Sequence, residues 1–173
     1  MRCNGRGRSL SWLTSFDIEG FRAWAWTEGR FTYETFLEAA EEVVVRRTPA
    51  QHPPPPCHAF QRCRCFARCQ YPYVNAFPGP RSIVLLDNAS IHHSRAFVRR
   101  VNRLGGMVIF LPPYCFTTSP LDNGAYGLVV RWLQRNAGRV RAVGLQQGMD
   151  EALSSLSASD ARYCFQNCGY VVR

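Results

Sequence analysis

Two aspartates, Asp87 and Asp122, are the residues best suited to chemistry in this chain. Asp87 follows the apolar run of residues 83–86, and Asp122 follows a second apolar run and the pair Pro112-Pro113. A buried strand that ends at an acid places the carboxylate at the C-terminal edge of a sheet, where functional groups of α/β folds gather. Carboxylate oxygens are favoured ligands of divalent cations. The two acids therefore predict metal-dependent chemistry.

The segment between the acids has the pattern of a strand, a helix and a second strand. Residues 82–86 and 107–111 are predicted strands, of which 83–86 and 107–111 are apolar, and residues 95–104 carry apolar side chains at helical spacing before the Gly105-Gly106 stop. The predicted buried stripe of the helix is Phe97, Val98, Val101 and Leu104. Its arginines, which project elsewhere, are Arg95, Arg99, Arg100 and Arg103. This pattern predicts a parallel unit with its functional edge at the strand C-termini.

The N-terminal part predicts a β-hairpin followed by a helix. Residues 9–16 and 21–26 are strand-like, and Gly20 can take positive φ in the turn. Asp17 also lies in this turn, where an aspartate more often accepts turn hydrogen bonds than acts in catalysis. Thr32 is the predicted N-cap of the helix. The inward residues of that helix are predicted to be Phe36, Leu37, Ala40, Val43 and Val44. Residues 1–8 are predicted to be a frayed lead-in.

The C-terminal part predicts helices at residues 125–136, 145–153 and 160–168, with Ser157 or Ser159 as the N-cap of the last. Tyr114, which follows the double proline, is interpreted as a packing residue. For Asp122 the alternative to a catalytic role is that of N-cap of the helix that follows it.

Residues 46–72 differ from the rest of the chain in composition. Four consecutive prolines precede Cys57, Cys63, Cys65 and Cys69. These cysteines could bind zinc, but the segment lacks the paired C-x2-C spacing of zinc knuckles. We therefore prefer a disordered insertion to a zinc site for this segment.

Composition sets the outer limits of the interpretation. The chain has 173 residues, 21 basic against 12 acidic residues and a net charge of +9, which favours a polyanionic partner such as nucleic acid. No apolar run approaches the ~20 residues of a membrane-spanning helix, so no membrane partner is predicted. The eight cysteines follow no secretory signal pattern and are interpreted as reduced thiols of an intracellular protein.

Three segments in order, VLLDNASIHHS, GGMVIFLPPY and SPLDNGAYG, resemble the second half of the DDE transposase domain of the mariner-type superfamily. Thirty-four residues, 88–121, separate Asp87 from Asp122, which is an interval typical of that superfamily. GFRAWAWTEGRFTYETF, FPGPRS and YCFQNCGY extend the resemblance outward. It covers most of the chain except residues 46–72.

The resemblance implies a ribonuclease-H-like α/β fold, with a mixed sheet flanked by helices. It also implies a DNA substrate, a nuclear location and three carboxylates that bind Mg²⁺ or Mn²⁺ for phosphodiester cleavage and strand transfer. Asp87 matches the second acid and Asp122 the third, and both are the predicted catalytic and metal-binding residues. His92 matches the motif histidine. We predict nucleic-acid binding by His92, Arg95 and Arg99, with a merely solvated basic face as the alternative for the arginines.

The family places its first acid on a strand ahead of the hairpin, and no residue of this sequence matches it. We therefore predict a single partial domain over residues 1–173, with its core at residues 81–122, which lacks the first strand and is inactive as given. A homo-oligomer is possible by resemblance. The alternatives are a non-catalytic nucleic-acid-binding module and a zinc-stabilised interaction protein.

Overall fold

The computed structural model describes residues 2–3, 9–45 and 74–172. The chain forms two compact units. The first unit runs up to Ser15 and from Ala23 to Phe110, and the second combines Phe16–Arg22 with the chain from Leu111 onward. The segment at residues 46–72, predicted to be a disordered insertion or a zinc site, lies outside the described residues.

The predicted hairpin is confirmed, with the first strand shifted by one residue and the second strand longer than expected. Strand β2 covers Leu10–Asp17 and β3 covers Gly20–Glu28. Gly20 has a φ of 121°, which glycine adopts at little steric cost. A short strand β1, Arg2–Cys3, pairs antiparallel with β2. The prediction of a frayed lead-in is therefore wrong for these two residues, whose backbone takes part in the sheet.

Helix α1, Tyr33–Ala40, begins at the predicted N-cap, Thr32. The Thr32 hydroxyl accepts the Thr35 N–H at 3.3 Å. The Thr35 hydroxyl in turn accepts the Thr32 N–H at 2.8 Å. This reciprocal pair satisfies two amides that the helix itself cannot satisfy.

The end of α1 departs from the predicted helical period. The chain continues as a π-helical turn, Glu41–Val45, which is wider than an α-helical turn. The extra width shifts the buried face, so that Val43 and Val45 are buried and Val44 is only partly buried. Val44 nevertheless packs against the hydrophobic core, as its predicted inward position requires, and Val45 is an additional buried residue.

Strands β4, Ile83–Leu86, and β5, Met107–Phe110, flank helix α2, Arg95–Arg103. The two strands pair in parallel along their full lengths, as the strand-helix-strand pattern predicted. The helix ends before Gly105, whose φ of 80° suits glycine at a helix C-terminus. Both strands end at the same edge of the sheet, and Asp87 directly follows β4 there.

One hydrophobic cluster of the first unit joins α1, α2 and the parallel strands. Its buried members are Phe36, Ala40, Val45, Val74, Phe97 and Val101. The strand residues that pack against it are Val84, Leu86 and Val108. The alternate strand residues, which are exposed, are Ile83, Met107 and Ile109. This alternation follows from the period of two of a β-strand.

Within the described residues the strands form two sheets, an antiparallel one of β1, β2 and β3 and a parallel one of β4 and β5. Both components of the predicted mixed sheet are thus present. The helices α1 and α2 share their core with the parallel strands. The architecture is α/β, as the sequence predicted.

The second unit is helical beyond the hairpin tip. Its helical segments are a 3-10 turn at Phe116–Thr118, a π-helical turn at Leu121–Ala125, α3 at Tyr126–Arg135, α4 at Ala137–Val143, α5 at Leu145–Ser154 and α6 at Ala158–Asn167. The N-cap of α6 is Ser157, one of the two predicted candidates. None of the described helices is long and apolar enough to cross a membrane.

Helix α4 was not predicted because its sequence, AGRVRAV, has no clear apolar period. It packs through Val140 against α5 at Gly148. A Cβ atom added to Gly148 would lie 2.9 Å from both methyl carbons of Val140, so the glycine is required for this close approach. Arg139 of α4 also donates to Glu151 of α5 through its Nη2 atom at 2.9 Å.

Ser94→Ala is expected to destabilise the first unit by about 1 kcal/mol. Ser94 is 1% exposed. Its hydroxyl accepts the Phe97 N–H at the start of α2 at 3.3 Å and lies 3.1 Å from the Tyr33 Oη. Alanine would leave the Phe97 amide without its partner. Urea denaturation of Ser94→Ala tests this. The control is Ser90→Ala, which changes an exposed serine, and equal unfolding midpoints of the two variants would contradict the capping role.

Candidate active site

Asp87 lies at the C-terminal edge of the parallel strands β4 and β5, where the sequence placed it. The chain turns as soon as β4 ends, and Asp87 Oδ1 accepts the Ala89 N–H at 3.0 Å. Aspartate commonly forms such a bond with the backbone two residues ahead. The Asp87 side chain is 56% exposed, so its carboxylate is open to a ligand from solvent.

His92 returns to Asp87 through a short 3-10 turn, Ser90–His92. Its Nδ1 atom forms a hydrogen bond with Asp87 Oδ1. Its ring lies against Phe36, with ring centroids 4.9 Å apart, and the side chain is only 18% exposed. The Nδ1 atom of His92 thus contacts Asp87, and its ring contacts Phe36. Binding of DNA by His92 stays a prediction.

The hydrogen bond with His92 lowers the pKa of the Asp87 carboxyl below its ordinary value. Partial burial acts in the opposite direction because it disfavours the charged form, and the Ala89 amide lowers the pKa further. Asp87 is therefore ionised at neutral pH. An ionised carboxylate at an accessible sheet edge is a suitable ligand for a divalent cation.

A second pair, between an asparagine and a histidine, follows the same spacing. His93 Nε2 lies 2.6 Å from Asn88 Oδ1, and the His93 ring stacks on Phe110 of β5 with centroids 4.3 Å apart. His93 is exposed. Neither pairing was predicted, although the repeated five-residue interval in DNASIHH, from Asp87 to His92 and from Asn88 to His93, is a signal for them. Together the two pairs tie residues 87–93 to the ends of β4 and β5.

Asp122 belongs to the second unit and lies in the first part of the π-helical turn Leu121–Ala125. Its N–H donates to the Ser119 hydroxyl at 3.3 Å. The interpretation of Asp122 as an N-cap is therefore wrong, since it lies inside the helical segment and Ser119 accepts from the backbone. Among the described residues the exposed Asp122 carboxylate has no hydrogen-bond or ion-pair partner. It is available to bind a ligand.

Tyr114 lies in the loop that leads to this turn. It is 93% exposed, so the predicted packing role is wrong. Its φ of 61° is uncommon for a non-glycine residue. The Cys115 N–H donates to the Pro112 carbonyl at 3.3 Å. With Pro113 at the second position, this bond fits a type II turn, whose third residue needs positive φ. Tyr114 is that third residue, and its side chain extends into solvent.

Asp17 accepts a hydrogen bond within the hairpin turn, as the sequence predicted. Its Oδ1 atom accepts the Glu19 N–H at 2.8 Å, and its Oδ2 atom lies 3.7 Å from Arg22 Nε. Both contacts occupy the carboxylate locally. The structure therefore gives no reason to regard Asp17 as a metal ligand.

Helix α2 presents a line of basic side chains to solvent. Arg95, Arg99 and Arg103 are all exposed and follow one another at intervals of four residues, which places them on one helix face. Arg100 differs, since its Nε atom donates to Glu41 Oε1 at 3.0 Å. We call Arg95, Arg99 and Arg103 the arginine row. It includes the two arginines that the sequence assigned to nucleic-acid binding.

The oxygen ligands of Asp87 and Asp122 suit a hard cation such as Mg²⁺ or Mn²⁺. In residues 9–45 and 74–172, no group of three His, Cys, Asp or Glu side chains could jointly bind a metal ion. Each of the two acids, considered by itself, offers oxygen ligands of the kind that such a cation prefers. The described cysteines Cys115, Cys164 and Cys168 are free thiols.

Comparison with known proteins bears on the family and the fold. A family model described as DDE superfamily endonuclease matches residues 1–142. A solved structure of the Mos1 transposase catalytic domain with raltegravir and Mg is similar in fold, with a TM-score of 0.53 and 15% identity. The match covers 97% of this chain and 79% of that chain, and confirms the predicted ribonuclease-H-like fold. No curated protein matches significantly. Since the family model spans most of the chain, the protein belongs to the DDE superfamily endonucleases.

Proposed function

We propose that this chain contributes two of the three metal-binding carboxylates of a DNA-cleaving and strand-transferring centre, and that it does not cut DNA by itself. Asp87 is the second acid and Asp122 the third. The observation that carries the proposal is Asp87 itself, an ionised and accessible carboxylate at the C-terminal edge of a parallel strand pair. The 34-residue interval between the acids supports their common role.

Mg²⁺ or Mn²⁺, when bound, would activate the attacking oxygen and stabilise the leaving oxygen of a phosphodiester. The similar Mos1 catalytic domain was solved with Mg, which supports the choice of ion. The chain's own residues would bind the ion through Asp87 and Asp122. We infer inactivity because two carboxylates fix a catalytic metal poorly, and because Asp17 is engaged by Glu19 and Arg22.

Incubation of the full chain with supercoiled plasmid and Mn²⁺ tests this proposal. We expect no nicking above buffer, together with measurable DNA binding. Nicking that disappears in Asp87→Ala would show a complete centre and contradict the proposed inactivity. The absence of both DNA binding and Mn²⁺ binding would contradict the proposed function as a whole.

The arginine row is proposed to contact the DNA backbone, since arginine binds phosphate through its planar set of donors. Changing Arg95, Arg99 and Arg103 to alanine is expected to weaken binding to duplex DNA. It should also reduce the slope of log affinity against log salt by about 1 per arginine. Fluorescence anisotropy over a salt series measures both quantities.

The matched control changes Arg131, Arg135 and Arg141 to alanine. These arginines are exposed in the second unit, so the control alters the net charge by the same amount. A similar slope change in both triple variants would show that net charge, and not the arginine row, determines DNA binding.

A further inference from the structure

The two oxygens of the Asp87 carboxylate have different surroundings. Oδ1 interacts with both the Ala89 N–H, at 3.0 Å, and His92 Nδ1. In the described part of the chain, Oδ2 has no hydrogen-bond partner. The carboxylate is therefore held through one oxygen, and the other is left for a ligand.

The direction of the bond from His92 follows from the chemistry of its partner. An ionised carboxylate only accepts hydrogen bonds, so the Nδ1 atom of His92 carries the proton and donates it. The imidazole has little freedom to turn away. Its ring lies against the buried Phe36 ring, and the His92 N–H donates to the Ala89 carbonyl at 2.9 Å.

We propose that His92 is a positioning residue that fixes the Asp87 carboxylate so that Oδ2 is the single oxygen offered to a divalent cation. This inference rests on the proposed function, which makes Asp87 a metal ligand. His92 acts through Asp87 and does not itself touch the cation. Magnesium-type ions demand a well-defined ligand geometry, and partners that orient a ligating carboxylate commonly alter metal affinity about 10–100-fold.

The neighbouring pair provides a comparison within the same loop. His93 bonds to Asn88 and stacks on Phe110, but it does not contact Asp87 in the described structure. If both histidines acted only by stiffening the backbone of this loop, loss of either pair would weaken metal binding to a similar extent. If His92 positions the carboxylate, only its own loss weakens metal binding.

Mn²⁺ binding to the full chain, followed by electron paramagnetic resonance, separates these cases. His92→Phe keeps a ring against Phe36 but removes the donor, and we expect it to weaken Mn²⁺ binding about tenfold. His92→Asn, whose amide can donate from near the Nδ1 position, should recover part of the loss. His93→Phe should bind Mn²⁺ like the parent chain. Unchanged affinity in His92→Phe, or equal losses in His92→Phe and His93→Phe, would overturn the inference.

A metal-free measurement keeps the inference separate from the proposed function. In ¹⁵N-edited NMR spectra without metal, we expect the Ala89 amide resonance to shift in His92→Phe and to return toward its original position in His92→Asn. If the parent chain binds Mn²⁺ no better than Asp87→Asn, the proposed function fails, while the Ala89 shift still tests the positioning. An unmoved Ala89 resonance in His92→Phe overturns the inference, whatever the result for metal binding. If His92→Phe folds poorly, the Ala89 resonance and the Mn²⁺ affinity of His92→Asn test the inference instead.

Discussion

Replacing Asp87 by asparagine is expected to weaken Mn²⁺ binding to this chain by about 100-fold or more, which exceeds the effect of changing a residue that only orients a ligand. Asparagine has nearly the same shape and can still accept the Ala89 N–H through its carbonyl oxygen. It lacks the negative charge, which supplies most of the attraction for a divalent cation. Titration with Mn²⁺ by calorimetry or electron paramagnetic resonance measures the loss.

The fold should tolerate this change. The Asp87 side chain is 56% exposed, and substitutions at such positions usually alter stability little. Glu38→Gln is a suitable control because Glu38 is an exposed acid of the same unit and the change removes the same charge. If Asp87→Asn and Glu38→Gln reduce Mn²⁺ affinity equally, the binding is diffuse and Asp87 is not a specific ligand.

Asp122→Asn extends the same test to the second acid. If both aspartates bind one cation, the double variant should lose less affinity than the product of the two single losses, because each single change already removes most of the shared binding. Losses that multiply would show that the two acids act independently. This outcome would leave Asp87 as a ligand but remove Asp122 from the proposed site.

The position of Asp87 could be predicted because it depends on a local pattern. An apolar run that ends in an acid, followed by an amphipathic helix and a second apolar run, has few alternatives to a parallel unit. The partners of Asp87 could not be predicted so readily. The contact with His92 requires the 3-10 turn at Ser90–His92, and no periodicity of the sequence indicates that turn.

The departures from prediction have local physical causes. The wider turn at Glu41–Val45 buries Val45 in addition to the predicted Val43, which a fixed helical period cannot anticipate. Tyr114 is exposed because the preceding prolines favour a turn that needs positive φ at the third residue. Helix α4 packs closely through Val140 against Gly148 of α5, and this tertiary packing is not visible in the sequence of α4.

Phe36→Ala is expected to destabilise the chain by about 3–5 kcal/mol, the range found when a buried phenylalanine is truncated. Phe36 is 1% exposed, and its ring meets Phe97 edge-on with centroids 6.1 Å apart. It also contacts the ring of His92. Urea denaturation measures the loss. Met107→Ala, which truncates an exposed residue of the same unit, should cost much less, and equal losses would contradict the central place of Phe36 in the core.

Phe36→Leu separates the two roles of this ring. Leucine fills much of the volume and should recover part of the stability, but it offers no ring to the His92 imidazole. If the ring contact with Phe36 keeps His92 directed at Asp87, Phe36→Leu should weaken Mn²⁺ binding even where the chain is fully folded. If Mn²⁺ binding is instead unaffected in the folded variant, the hydrogen bond with Asp87 and the turn at Ser90–His92 are sufficient to orient the imidazole, and Phe36 contributes to stability alone.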